Sequence, residues 1–98
     1  MYLHLGQDTV VTFDDIIGIF DLETATIGKS TRDYLKKAED NREVVNVSYE
    51  LPKSFVVCAD PEKKDKKIVY ISQISSSTLL KRTAYIESIS NVKEILKG

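Results

Sequence analysis

A small α+β domain is the fold class this chain predicts, with five or six short, mostly antiparallel strands and two or three helices. Three observations predict it. Short runs rich in β-branched and aromatic residues recur at residues 2–5, 9–13, 15–21, 45–49, 54–59 and 67–74. Between and after them, apolar residues return at helical spacing. The 98 residues, 42% of them hydrophobic, suffice for one core, since a domain becomes self-sufficient from about 55–65 residues upward, and they leave no room for a second.

The elements follow in chain order. Leu3 and Leu5 alternate with Tyr2 and His4, and Gly6-Gln7-Asp8 then supplies turn chemistry. The run Ile16-Ile17-Gly18-Ile19-Phe20 is apolar on both parities and needs cover on both faces. Ile27, Thr31, Tyr34, Leu35 and Ala38 form the apolar stripe of a helix ending near Asn41, with Asp33/Lys37 and Lys36/Asp40 as i, i+4 pairs on its wet face. Val45, Val47 and Tyr49 alternate with Asn46 and Ser48 as a half-buried strand, broken by Glu50-Leu51-Pro52-Lys53. Residues 54–59 and 67–74 read as a hairpin. Ser75, Ser76, Ser77 and Thr78 offer N-cap oxygens ahead of Leu79-Leu80, and a last amphipathic stretch starts at Asn91, with Glu94 as its capping-box partner. Strands so apolar outrun the cover two helices provide, so some faces are expected to be buried against other copies in a symmetric assembly.

Composition narrows the chemistry. Charged residues make up 30% of the chain, yet the net charge is −1, so no whole-molecule field draws in DNA or an anionic membrane, and any polyanion contact must be local. One histidine, His4, and one cysteine, Cys58, exclude a hydrolytic triad, a multi-cysteine or multi-histidine metal site and a disulfide framework within one subunit. No Gly-rich phosphate loop is present. No cofactor is expected, and enzyme is the weakest functional class. The opening MYLHLGQD lacks a basic leader and no apolar run approaches the roughly 18 residues of a membrane span; the expected location is cytoplasmic, with no membrane partner.

The one concentrated charge is PEKKDKK, from Pro61 to Lys67, at the tip of the expected hairpin. Four lysines there can neutralise a few phosphates by counterion release. The same residues also make a well-blunted hairpin turn, diluted by Glu62 and Asp65. No aromatic residue interleaves the lysines, which argues against a stacking platform for single strands. Lys81 and Arg82, near the start of a helix, sit poorly with its dipole and either face solvent or hold an outside anion.

Three segments, LHLGQDTVVTFDDIIGIFDL from Leu3, LPKSFVV from Leu51 and YISQISSSTLLKR from Tyr70, resemble the RemA/RemB family of bacterial extracellular-matrix regulatory proteins, the RemB branch most closely. The likeness spans residues 1–86 and leaves 87–98 as a C-terminal amphipathic tail. It implies a small α+β subunit assembling into a ring-like homo-oligomer that binds double-stranded DNA through surface arginines as a transcription regulator of matrix, or biofilm, genes. This chain departs from that pattern. Asp14-Asp15 stands where RemA-like chains carry an arginine, and Tyr49-Glu50-Leu51-Pro52-Lys53-Ser54 replaces an arginine-rich turn. Lysine lacks the bidentate phosphate fork of arginine. The DNA-contact residues expected here are therefore Lys53, Lys63, Lys64, Lys66 and Lys67, touching backbone phosphate with little base readout. The alternative is a ring-forming scaffold or interaction protein that has lost DNA binding and works through another protein or a paralogous regulator, with residues 91–97 as a docking helix.

Overall fold

The computed structural model describes residues 1–22, 28–63 and 65–97; from residue 87 onward it describes the course of the backbone only. Strands β1 (Tyr2–Gly6) and β2 (Thr9–Thr12) form an antiparallel hairpin, followed by a 3-10 turn at Phe13–Asp15 and strand β3 (Ile16–Asp21). Helix α1 (Lys29–Asp40), β4 (Val44–Asn46), β5 (Ser54–Ala59), β6 (Lys67–Ser72) and α2 (Ser76–Lys97) complete the order. The main sheet has four strands in the order β3-β5-β6-β4, antiparallel except where β4 lies parallel to β6. The α+β expectation, with six strands and two helices among the described residues, is met.

The two faces of the sheet carry separate apolar clusters. On one face Val56 and Cys58 of β5 join Leu3, Leu5 and Val11 of the hairpin, Val47, and Leu79 of α2, with Ile16, Ile19 and Tyr70 packed around them. On the other, Phe55 and Val57 of β5 and Val69 of β6 meet Ala38 of α1, with Leu35, Val44 and Ile71 beside it. Strand β5 is thus buried on both parities from Ser54 to Cys58, each such apolar side chain contributing about 1.5–3 kcal/mol. The sequence argument assigned this cover to two helices plus neighbouring copies. Within one subunit the β1–β2 hairpin supplies a further layer, while Ile17, Phe20, Tyr49 and Leu51 remain exposed.

Strand β3 shows how an all-apolar run is accommodated. Its register with β5 slips between Ile16, opposite Cys58, and Gly18, opposite Val57, so Ile17 is an extra bulged residue. The bulge puts Ile16 and Ile19 on the same cluster despite their odd spacing, while Ile17 stays exposed. Gly18 leaves room for the Phe20 ring, whose carbon atoms lie 2.7 Å from where a Cβ would stand. That ring stacks on Phe55 at a centroid distance of 4.9 Å.

Two serines join the layers. Ser54 and Ser72 face each other across β5 and β6 and are fully buried. Ser72 Oγ donates to the Leu5 carbonyl oxygen at 2.6 Å and accepts from the Ile74 N–H at 3.0 Å, and Ser54 Oγ donates to the Ile74 carbonyl at 2.7 Å. Next to this junction the β1–β2 turn passes through Gly6 at φ 120° and Gln7 at φ 47°. The Gln73 amide packs on the bare Gly6 Cα, and its Oε1 is buried with no hydrogen-bond partner among the described residues.

Three expectations need correction. The strand drawn from Val45 to Tyr49 stops at Asn46; Val47 turns inward to the core, and Tyr49 is wholly exposed, because the chain leaves β6 before the alternation can continue. No helix starts at Asn91: α2 runs unbroken from Ser76 to Lys97, as no Gly or Pro interrupts it. Asp15, expected to open the strand run 15–21, lies with Asp14 in a 3-10 turn instead. Ser75 does cap α2, accepting from the Thr78 N–H at 3.3 Å. Ile27 lies outside the described residues.

Gly6→Ala should lower stability by about 1–3 kcal/mol, because the Gln73 amide can shift aside but a backbone at φ 120° strains any L side chain; a thermal melt would show it as a fall of roughly 4–8 °C per kcal/mol. Ser72→Ala should cost about 1–3 kcal/mol by leaving the Leu5 carbonyl and the Ile74 N–H unpaired, read in urea as a lower midpoint at unchanged slope.

Candidate functional site

The lysine loop is an organised turn. Asp60 Oδ1 accepts from the N–H groups of Glu62 (2.9 Å) and Lys63 (3.3 Å), the Asp60 N–H donates to the Lys66 carbonyl (2.9 Å), and the Lys66 N–H donates to the Lys63 carbonyl (2.8 Å). The Asp60-Pro61 start therefore works as an Asx turn that closes the loop on itself. Lys63, Lys66 and Lys67 are exposed on it, while Lys64 lies outside the described residues. Lys67 is the first residue of β6 and pairs with Ala59, so a strand end anchors at least that cation.

The loop does not stand alone. Lys66 and Lys67 line a cleft of about 540 Å³ together with Tyr34, Lys37 and Asn41 of the α1 end. Lys37, read in the sequence as an i, i+4 partner of Asp33, stands one turn before the end of α1 and lines this cleft. Glu43 and Asp65 also line this cleft, so three lysines face two carboxylates there. Burial raises the Tyr34 phenol above the ordinary range, and Glu43 adds to it, keeping that hydroxyl a neutral donor at physiological pH.

Acid and base mix at this end of the sheet. The Phe13–Asp15 turn precedes Ile16, which pairs with Cys58 one residue from the end of β5, so Asp15 stands at the same end as the lysine loop. Its charge acts on the opposite face: burial raises Tyr70 foremost, followed by the influence of Cys58, Asp60 and Asp15. Asp15 and Asp60 act on the hairpin side through Tyr70, while Glu43 and Asp65 share the α1-side cleft with the lysines.

Lys53 is elsewhere. It precedes β5 at the far end, where its N–H donates to the Ser72 carbonyl and its carbonyl accepts from the Leu22 N–H. Six residues of extended chain, about 20 Å at ~3.3 Å per residue, separate it from the loop. One subunit thus brings Lys63, Lys66 and Lys67 together, adds Lys37, and leaves Lys53 apart. Beside Lys53 the chain exposes Tyr49 and Leu51. Along β3, a groove lined by Ile17, Phe20, Tyr34 and Phe55 ends at Lys67.

Comparison with known proteins bears on what this surface is for. The chain is 38% identical over 91 residues to Extracellular matrix regulatory protein B of Bacillus subtilis (strain 168), an alignment covering 93% of this chain and 100% of that protein. The chain belongs to the RemA/RemB family. No family model matches it. The family resemblance read from the three sequence segments is thereby borne out. In this RemA/RemB-family chain, the segments that carried the resemblance build the hairpin, β3, the start of β5, β6 and the first turns of α2. They supply Leu3, Leu5, Val11, Val56 and Leu79 of the first apolar cluster and Phe55 and Val57 of the second, whereas the loop holding the lysines lies between them. No group of histidine, cysteine or acidic residues among the described residues is placed to hold a metal ion, and no described helix is long and apolar enough to cross a membrane.

Cys58 behaves as a core residue. Burial first, and the Asp15 carboxylate second, push its thiol up to about 11, leaving almost no thiolate at neutral pH. The raised value means the fold prefers the protonated thiol. That stabilisation is whole below the ordinary thiol value near 9 and is lost as pH rises through about 11. Stability against urea should accordingly fall across that window, less so in Cys58→Ala, and a thiol-specific dye at pH 8 should label the native chain only at the rate of unfolding.

Proposed function

We propose that this chain is a regulator of the extracellular-matrix family that works as a ring-like homo-oligomer and contacts the phosphate backbone of double-stranded DNA through lysines. The observation that carries this reading is the convergence of Lys37 of α1 with Lys66 and Lys67 of a self-closed loop in one cleft at one end of the subunit. Lys63 lies on the same loop, as does Lys64 by sequence, and Lys53 adds a cation from the opposite end of β5. The contact is weak in a single copy, because carboxylates line the same cleft and lysine binds phosphate as a point charge. Repetition around a closed assembly multiplies such contacts without new chemistry. The exposed apolar side chains Ile17, Phe20, Tyr49 and Leu51 support association of copies, since a monomer gains nothing by keeping them in water.

A second reading has its own observation. Asp14 is exposed in the 3-10 turn at the same end of the sheet as the lysines, and a carboxylate there repels phosphate. On that reading the assembly is a scaffold that contacts another regulator, with residues 87–98 serving as a docking tail.

Duplex binding followed by fluorescence anisotropy across about 50–200 mM salt separates the two. A lysine-to-phosphate contact gives a log-log slope of about −0.9 per neutralised phosphate. Changing Lys63, Lys64, Lys66 and Lys67 to glutamine should weaken binding at least about tenfold and flatten the slope by roughly 1 per lost contact. A slope near zero in the unaltered chain, or no change in the variant, would leave the scaffold reading. Sedimentation showing an 11.1 kDa particle at micromolar concentration would remove the assembly from both.

A further inference from the structure

A second cationic surface lies away from the lysine loop. Strand β1 and the first turns of α2 border an open cleft of about 430 Å³, with Leu3 and Ile86 as its apolar floor and Tyr2, Lys81, Arg82 and Tyr85 around its rim. The size falls in the range of small-molecule sites. Leu3 is fully buried, while Tyr2 and Tyr85 are each 68% exposed, large rings held at the edge of a cleft with little packed on them. Apart from those six, His4 and Thr78 line it, so among the described residues no carboxylate offsets the two cations.

Arg82 is held in place. Its Nη1 donates to the His4 carbonyl at 3.1 Å, which uses one of the five guanidinium donors and fixes the group over β1. The His4 ring is tied down in turn by Nε2 donating to the Gln7 carbonyl at 2.6 Å; a carbonyl only accepts, so that nitrogen carries a proton. A guanidinium immobilised before any ligand arrives loses little freedom when an anion does, and Lys81, the preceding residue, adds a point charge. The sequence left open whether these two cations hold an outside anion. Their geometry, between two uncovered phenol rings, fits one class of anion better than others.

We propose that this cleft binds a nucleotide, its base stacked on Tyr85 or Tyr2 above the Leu3 and Ile86 floor and its phosphate on Lys81 and the remaining donors of Arg82. Base stacking on an aromatic side chain tolerates any base because every base has a π-face, and the phosphate is met by charge-assisted hydrogen bonds. An inorganic anion would leave both rings unused. An apolar peptide would meet two cations, Lys81 and Arg82, on the rim. The site is independent of the lysine loop and does not rest on DNA binding there.

Isothermal titration of the full chain with deoxyadenosine 5′-monophosphate tests the assignment, with deoxyadenosine and inorganic phosphate as its two halves. A sub-millimolar dissociation constant is expected for the nucleotide, with each half at least about tenfold weaker. Lys81→Gln and Tyr85→Leu, both at exposed positions, should each weaken nucleotide binding about tenfold, with unchanged far-UV circular dichroism confirming the fold. Lys66→Gln with Lys67→Gln should leave it unaltered. The proposal is overturned if the nucleotide fails to bind at millimolar concentration, if inorganic phosphate binds as tightly, if the two cleft variants bind like the parent, or if the loop variant is the one that loses binding.

Discussion

The hydrogen bond from Ser72 to the Leu5 carbonyl is the constraint on which the architecture turns. The main sheet has one face covered by α1 and the other only in part by α2 and Val47; the β1–β2 hairpin latched across that second face completes the burial of β5. The latch is polar and wholly enclosed, so it acts less as a source of net stability than as a condition of fit. A hydroxyl sealed from water with its partner displaced is costly, whereas the satisfied pair is close to neutral. Hydrophobic burial would accept several placements of the hairpin, and this one buried pair accepts a single placement. Ser54 repeats the device on the facing strand through Ile74, so the end of the sheet where α2 departs is bound at two points.

From that frame follows the distribution of charge. With both faces occupied by apolar packing, ionic groups are pushed to the ends of strands and to the outer surface of α1. At the loop end lysines gather in the cleft beside α1, with Glu43 and Asp65 among them. A chain with a net charge of −1 can still present a locally positive surface in this way, although three lysines against two carboxylates make a modest one. In the proposed assembly such a modest surface would gain by repetition, and the exposed apolar side chains of β3 and of the segment before β5 are its proposed contacts.

Much of the fold was legible in the sequence, for definite reasons. β-branched runs marked the strands, the stripe of Thr31, Leu35 and Ala38 marked α1, and Ser75 marked the start of α2. What stayed hidden depends on partners distant in the chain. Ser72 looks like a turn or cap residue until Leu5 is seen beside it. The bulge at Ile17 has no local signature, since a run of isoleucines reads the same in or out of register. Tyr49 alternates correctly with Val47, yet the strand it would belong to has already ended. Of the candidate site, the loop lysines were legible as a charge run and their anchoring by Asp60 as an Asp-Pro turn. Lys37 was not, because an i+4 acid offers a local explanation that conceals a tertiary one. Tyr2 and Tyr85 come from opposite ends of the chain and meet only once the hairpin has been latched.

The lone parallel pairing, β4 against β6, bears on how the chain is made. During synthesis α1 and β4 leave the ribosome before either strand of the β5–β6 hairpin exists. Leu35, Ala38 and Val44 must therefore wait, greasy and uncovered, until the end of the sheet is nearly complete, and β4 joins as its outermost member. The early half of the molecule thus buries its apolar face only against strands made later in the chain.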